Sequence, residues 1–172
     1  MPGRLRIGAK LPNSGPLPVE RGLPELARAL EGAGFDSVWV SDHVVLPSTI
    51  ESRYPFAADG RATWPTDTPY FDALIALALA AAVTEHVGLG IAVLVLPLRH
   101  PVVAAKQLAT IDVASRGRLR LGVGAGWLRE ETEAMGANFR LRWKLLRETT
   151  EAMRVCWTQP EPSYQEIGRA HV

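Results

Sequence analysis

The sequence predicts an α/β fold built on a parallel sheet. Three observations predict it. Apolar runs recur at residues 5–11, 37–40, 87–96 and 119–123. Each is followed, directly or after a loop, by a stretch whose apolar residues have helical spacing. The runs are apolar with little alternation, as strands are when helices cover a parallel sheet.

Taken in order, residues 5–11 read as a strand ended by Pro12-Asn13-Ser14-Gly15-Pro16. Pro24 stands at the favoured first position of a helix that carries Leu26, Ala27, Leu30 and Ala33 on one face and stops at Gly34. SVWV, 37–40, is the second strand. Residues 41–69 are polar, aperiodic and hold four prolines. A loop of that length within a compact domain is usually functional. Residues 72–84 form a helix apolar nearly all round, which predicts deep burial. The third strand, 87–96, has glycines at 88 and 90, and Pro97 and Pro101 bracket the turn after it. A helix over 100–115, a strand over 119–123, a short helix over 128–135 and a longer helix over 141–157 complete the series. On the last helix, Leu145, Leu146, Met153, Val155 and Cys156 mark the expected buried side.

Composition bounds the function. The chain has 172 residues, a formal charge of +1 and 47% apolar residues. Such a balance gives no electrostatic case for nucleic acid or a membrane surface. A lone cysteine, Cys156, excludes an intrachain disulfide and a cysteine metal cluster. The opening residues have no signal-like apolar run, and 73–83 is too short to span a bilayer. A cytoplasmic protein is expected. No histidine or carboxylate spacing matches a metal site. No Walker-type turn or Ser-His-Asp arrangement is present.

Residues 118–131, RLRLGVGAGWLREE, pass from strand through three glycines to an acidic helix start. That order makes a pocket of backbone N–H groups suited to anions, phosphate above all. A second loop, Ser41-Asp42-His43, sets a carboxylate beside an imidazole just past a strand, where the pair can orient a ring and move a proton. Together the two loops suit a phosphorylated cofactor. Glu130 and Glu131 are expected to act as dipole partners of the helix start. Asp112 and Arg118 are expected to pair across a turn. His86 and His100 are expected to be structural, His100 as a helix cap.

The closing residues, EIGRAHV over 166–172, back-translate with one codon choice each to GAGATCGGAAGAGCACACGTC. From its second base this is the start of a common short-read sequencing adapter. The native domain is therefore expected over 1–165, with a non-native tail over 166–172 and a gene continuing beyond Gln165. Four β/α units make either a small doubly wound sheet or half of a (β/α)8 barrel. An interrupted gene favours the N-terminal half of a (β/α)8 TIM-type barrel.

Three stretches carry a resemblance: GFDSVWVSDHVVLP (34–47), VGLGIAVLVLPLRHPVVAAKQLATIDVASRGRLRLGVGAGWLREE (87–131) and MRVCWT (153–158). They resemble the luciferase-like flavin monooxygenase superfamily, and most of all the branch described as probable deazaflavin (coenzyme F420)-dependent oxidoreductases. The resemblance implies a barrel with the flavin at the carboxyl ends of the strands. It implies Asp42 and His43 beside the cofactor ring, with His43 catalytic and Asp42 assisting. It implies a cis peptide at Ala92–Val93 behind the ring, approached closely because Gly90 and Ala92 are small. It implies cofactor contacts from Gly124, Ala125, Gly126 and Trp127. Trp127 stands where a sugar-phosphate dehydrogenase branch has a catalytic glutamate, which argues against that activity here.

The resemblance further implies F420 as cofactor, with FMN as the alternative. Hydride transfer or monooxygenation of a small organic substrate follows, and a homodimer is left open for the full-length form. Three other readings stay open: a non-catalytic flavin-binding relative, an inactive fragment, and a phosphate-binding barrel enzyme without flavin. Half a barrel exposes unpaired strand edges, so the chain expressed alone is expected not to be a soluble, active enzyme.

Overall fold

The computed structural model describes residues 4–62 and 64–165. The tail over 166–172, with its expected adapter origin, lies outside the described residues. Four strands form one sheet in the order β1 (Gly8–Lys10), β2 (Ser37–Val40), β3 (Gly88–Val95), β4 (Leu119–Gly124). Pairing is parallel, with Ala9 opposite Val38, Trp39 opposite Gly90 and Val40 opposite Ile91. Strand order follows chain order, as in successive β/α units of a barrel.

The chain divides into two compact units. The first comprises the residues up to His43, Thr68–Leu94 and Leu108–Gly122. In it, the first strand is shorter than the apolar run 5–11 predicts. Asp36 accounts for the difference. Its carboxylate accepts from the Arg4 guanidinium at 2.9 Å and from the Ile7 amide at 2.8 Å, so ladder pairing starts only at Gly8. A helix not anticipated from the sequence, α1 (Leu17–Arg21), precedes α2 (Leu23–Gly32), and Gly22 at φ +77° separates them. Pro18 and Pro24 both occupy first-turn positions, where a missing N–H costs nothing. Helix α2 buries Leu23, Leu26 and Ala27 and packs on α3 (Ala73–Val83).

Asp72 caps α3 by accepting from the amides of Leu74 and Ile75, both at 2.9 Å. The burial expected of this helix is present on one face only. Ala73, Leu74, Ala76, Leu77 and Ala80 are buried, whereas Ile75 is 61% exposed and Leu79 39%. A helix laid on a sheet covers one face, and 75, 78, 79 and 82 share the other.

On β2 the side chains alternate. Val38 and Val40 are buried, and Trp39 points to the opposite face, where its indole donates to Ser37 Oγ at 2.9 Å. A Cβ on Gly8 would meet the Trp39 indole nitrogen at 2.7 Å, and one on Gly90 would collide with the six-membered ring. Gly8 and Gly90 thus make room for Trp39 across three strands. Gly90 is therefore not a free approach for a flat cofactor ring, as its small size had implied.

Arg118 does not pair with Asp112. Its guanidinium donates to the carbonyls of Ser115 (2.8 Å), Val87 (2.8 Å), Thr84 (2.8 Å) and Ala81 (3.3 Å) and to the Thr84 hydroxyl (2.9 Å). It closes the end of α3 and the entry to β3, where backbone acceptors otherwise lack partners. Burial, with a small contribution from Arg116, holds its pKa below the usual arginine value despite Glu31. At the same entry, the Glu31 carboxylate accepts from the amides of Glu85, His86 and Val87, the last two at 2.7 and 2.9 Å.

The second unit comprises Val44–Asp67, Val95–Gln107 and the residues from Val123 onward. It begins with the long loop, which has no helix or strand among its described residues, as expected. A single 3-10 turn, Leu96–Leu98, leads towards α4 (Pro101–Ala114). A short α5 (Arg129–Ala134), a 3-10 turn Phe139–Leu141 and α6 (Arg142–Thr158) follow. Helix α6 packs on the Leu96–Leu98 turn, and the Trp157 indole donates to the Ala105 carbonyl at 3.0 Å. Its buried face is Leu145, Glu148, Thr149, Ala152 and Met153. Leu146, Val155 and Cys156, expected inside, are only half covered. Hydrophobicity alone misplaced the seam because Glu148 and Thr149 belong to it.

Candidate functional site

The residues after β2 are held by a buried asparagine that follows β1. Asn13 is fully buried, and its amide nitrogen donates to the carbonyls of Ser41 (2.8 Å) and Phe71 (3.0 Å). Its amide oxygen accepts from the Ser41 backbone N–H at 3.2 Å. Ser41 Oγ and the Tyr70 hydroxyl share a hydrogen bond of 2.6 Å. The Phe71 amide donates back to the Asn13 carbonyl at 2.8 Å. This network fixes the backbone immediately before Asp42 and His43. Asp42 is buried, 4% exposed, and His43 is half-buried with its ring edge against Tyr70, centroids 5.5 Å apart at 87°. A buried carboxylate beside a partly accessible imidazole can orient and exchange a proton. In the sequence Asn13 reads only as a turn residue. An asparagine directly past a strand, in a Pro-Asn-Ser-Gly turn, was the only available signal.

Strand β3 is buried except at Ala92 and Val93. The peptide joining these two is cis, at the pair the resemblance marked. Val93 is 44% exposed, so the pair is an opening in an otherwise closed strand. On β4, a Cβ at Gly122 would stand 2.7 Å from the Ile91 carbonyl oxygen. That glycine serves the close approach of two strands.

The second unit carries the rest of the residues singled out in the sequence. Gly124 ends β4, Ala125 is buried, and Gly126 has φ +79°, a conformation that favours glycine. Trp127 joins an aromatic cluster with Tyr54 (centroids 5.0 Å) and Trp64 (6.4 Å). Tyr54 also meets Trp64 edge-on at 5.1 Å. The long loop is therefore anchored, by packing, to the residue that follows the glycine turn.

Glu130 and Glu131 do more than face the α5 dipole. Glu131, 2% exposed, accepts from the backbone amides of Val44 (2.6 Å) and Val45 (3.2 Å). Glu130 accepts from the amides of Glu51 (2.8 Å) and Ser52 (2.9 Å) and from the Ser52 hydroxyl (2.7 Å). Burial raises the Glu130 pKa, but these hydrogen bonds outweigh it and hold the carboxyl below its ordinary value. Adjacent residues on a short helix thus tie down two points of the long loop. The sequence showed two glutamates at a helix start and nothing about a loop 80 residues away.

A cavity of about 600 Å³ lies within this unit, lined by Arg53, Arg129, Arg142, Trp127 and Phe139 among others.

The fold and these loops define a β/α protein whose polar chemistry sits on segments following its strands. A sequence profile of the luciferase-like monooxygenase family matches residues 6–167. The chain belongs to that family. An uncharacterized protein of Mycobacterium tuberculosis is 38% identical over 141 residues, covering 80% of this chain and 49% of the relative. The F420-dependent glucose-6-phosphate dehydrogenase of Amycolatopsis mediterranei is 35% identical over 149 residues, covering 84% of this chain and 40% of the relative. The chain spans about half the length of the curated relatives it matches. Among solved structures, an F420-dependent secondary alcohol dehydrogenase in complex with an F420–acetone adduct superposes with a TM-score of 0.71 at 24% identity, over 95% of this chain and 45% of that one. That likeness establishes the fold: four parallel β/α units, half of a (β/α)8 barrel.

Proposed function

We propose that these residues form the N-terminal part of an oxidoreductase that binds a deazaflavin, F420, with FMN as the alternative. The observation that carries the reading is the Asp42-His43 pair. It follows β2 directly, with Asp42 buried and His43 partly accessible, in a chain 35% identical to an F420-dependent dehydrogenase. The open Ala92–Val93 pair within a buried strand fits a flat ring carried close to the backbone, whereas a Cβ at Gly126 would meet Val95 at 2.8 Å. When bound, the ring supplies the redox chemistry, taking or giving a hydride. The chain's own residues do the rest. By the resemblance, Ala92 and Val93 would support the ring, and Gly124, Ala125, Gly126 and Trp127 would contact the cofactor. Asp42 orients the imidazole of His43, and His43 holds or accepts the proton at the reacting atom of a small organic substrate. Trp127 in place of a glutamate argues against the glucose-6-phosphate activity of the relative. Among the described residues no helix is long and apolar enough to cross a membrane, and we propose a cytoplasmic enzyme of small molecules that engages neither nucleic acid nor membrane.

The test separates binding from turnover. His43→Ala is expected to keep cofactor affinity within a few-fold while turnover of an identified substrate falls roughly 100-fold or more, the usual scale of general acid–base catalysis. Unchanged turnover would remove His43 from the mechanism.

A further inference from the structure

We propose that the arginine-lined cavity of the second unit is an oxyanion site that takes a phosphoryl group. Its volume of about 600 Å³ is that of a small-molecule pocket. Three guanidiniums, Arg53, Arg129 and Arg142, line it together with the aromatic rings of Trp127, Phe139 and Trp143. Two carboxylates also line it, Glu51 and Glu130. Glu130 is committed to the loop, since both its oxygens already accept hydrogen bonds from Glu51 and Ser52. Three guanidiniums against two carboxylates leave the lining with a formal charge of +1.

Arg142 packs against the lining ring Phe139. Its guanidinium carbon lies 4.0 Å from the centroid of Phe139, and Nη1 donates to the Phe139 carbonyl at 3.1 Å. Its Nε is buried and has no hydrogen-bond partner among the described residues. That nitrogen is closed off from solvent, so a ligand in the cavity would meet the guanidinium at its terminal nitrogens. Arg129 stands over the same ring, 5.2 Å from its centroid. Both guanidiniums keep their charge, and both stand at the Phe139 ring. The planar fork of arginine matches phosphate in bidentate fashion, and the aromatic lining suits an organic body attached to it. Gly126 and Trp127 line the cavity and also belong to the proposed ring site, so the inference adjoins that reading; phosphate binding in the absence of cofactor tells the two apart.

The experiment is calorimetric titration of a full-length protein that contains these residues with inorganic phosphate and with phenyl phosphate in low-chloride buffer. One saturable phosphate site per chain is expected, with phenyl phosphate the tighter ligand. Arg129→Gln and Arg142→Gln should each weaken phosphate about tenfold or more. Arg129 is exposed, so its variant keeps the parental melting temperature and reports on binding even if Arg142→Gln does not fold. Trp143→Ala should abolish the preference for phenyl phosphate and leave phosphate itself bound. Repeating the titration with FMN or F420 present assigns the source. Competition means that the cavity takes the cofactor's own phosphate, and additive binding means a separate phosphorylated ligand; both outcomes retain the site. Absence of saturable phosphate binding, or binding unchanged in Arg129→Gln, overturns the proposal.

Discussion

Glu131 is the clearest test of how the loop after the second strand is held. It is buried, and it accepts hydrogen bonds from the amides of Val44 and Val45, the two residues that follow His43. Glu131→Ala removes both bonds and leaves two backbone donors without that acceptor. A hydrogen bond to a charged group contributes about 1.5–3 kcal/mol. The 2.6 Å bond counts near the upper part of that range and the 3.2 Å bond near or below the lower end. Relief of the burial cost of the carboxylate offsets part of the sum. The expected net loss is about 3 kcal/mol, which for a chain of this size lowers Tm by roughly 6–12 °C. Glu131→Gln retains an acceptor oxygen and the side-chain shape, and should cost about 1 kcal/mol. Thermal melts of the two variants against the parent give the stability change. Amide hydrogen exchange should show protection lost at Val44 and Val45 in the alanine variant and largely kept in the glutamine variant. Melting temperatures within 1 °C of the parent for Glu131→Ala, with unchanged exchange at both amides, would refute the reasoning.

Arg118→Met removes a guanidinium that serves four carbonyls and one hydroxyl. It should destabilise by roughly 3–5 kcal/mol in urea unfolding, because buried acceptors lose their donors together. Gly90→Val drives a branched side chain into the Trp39 indole and should cost about 1–3 kcal/mol as overpacking, whereas the same change at exposed Gly32, with open space around its Cβ position, should cost less. Acid should weaken the fold through Glu31 and Glu130. For Glu31, burial raises the pKa, but the amides of Val87, His86 and Glu85 outweigh it and hold the carboxyl low; Glu130 is held low by Ser52 and loop amides. The folded state then binds fewer protons than the unfolded chain. Their contribution is complete above the ordinary glutamate pKa and is lost as pH falls through the lowered folded values. Glu31→Gln should flatten the acid limb of a stability–pH profile, and an unaltered limb would count against that assignment.

The strands and long helices could be read from the sequence because burial in a β/α unit writes itself as unbroken apolar runs. SVWV over 37–40 marks β2 to the residue, and Asp72 and Thr84 bound α3 as its caps. What could not be read was long-range polar satisfaction. Nothing local tells that Arg118 turns back to α3, that Asn13 holds Ser41, or that Glu130 and Glu131 grip a loop some 80 residues earlier. Such partners are chosen by which backbone groups the fold leaves unpaired. The glycines divide along the same line. Gly126 has the positive φ its place in a turn implied, but Gly90 is small because of Trp39, a neighbour known only once register is fixed. Burial of α3 was overstated because apolarity all round a helix does not say how many of its faces are covered.

The central claim is that the segments after the second, third and fourth strands serve a flavin-type cofactor. Equilibrium titration of a full-length protein that contains these residues with F420 and, separately, with FMN, followed by cofactor fluorescence, tests it most directly. The account predicts saturable binding of one cofactor per chain, tighter for F420 and weakened by Asp42→Ala. Failure of both cofactors to bind a folded protein would contradict it.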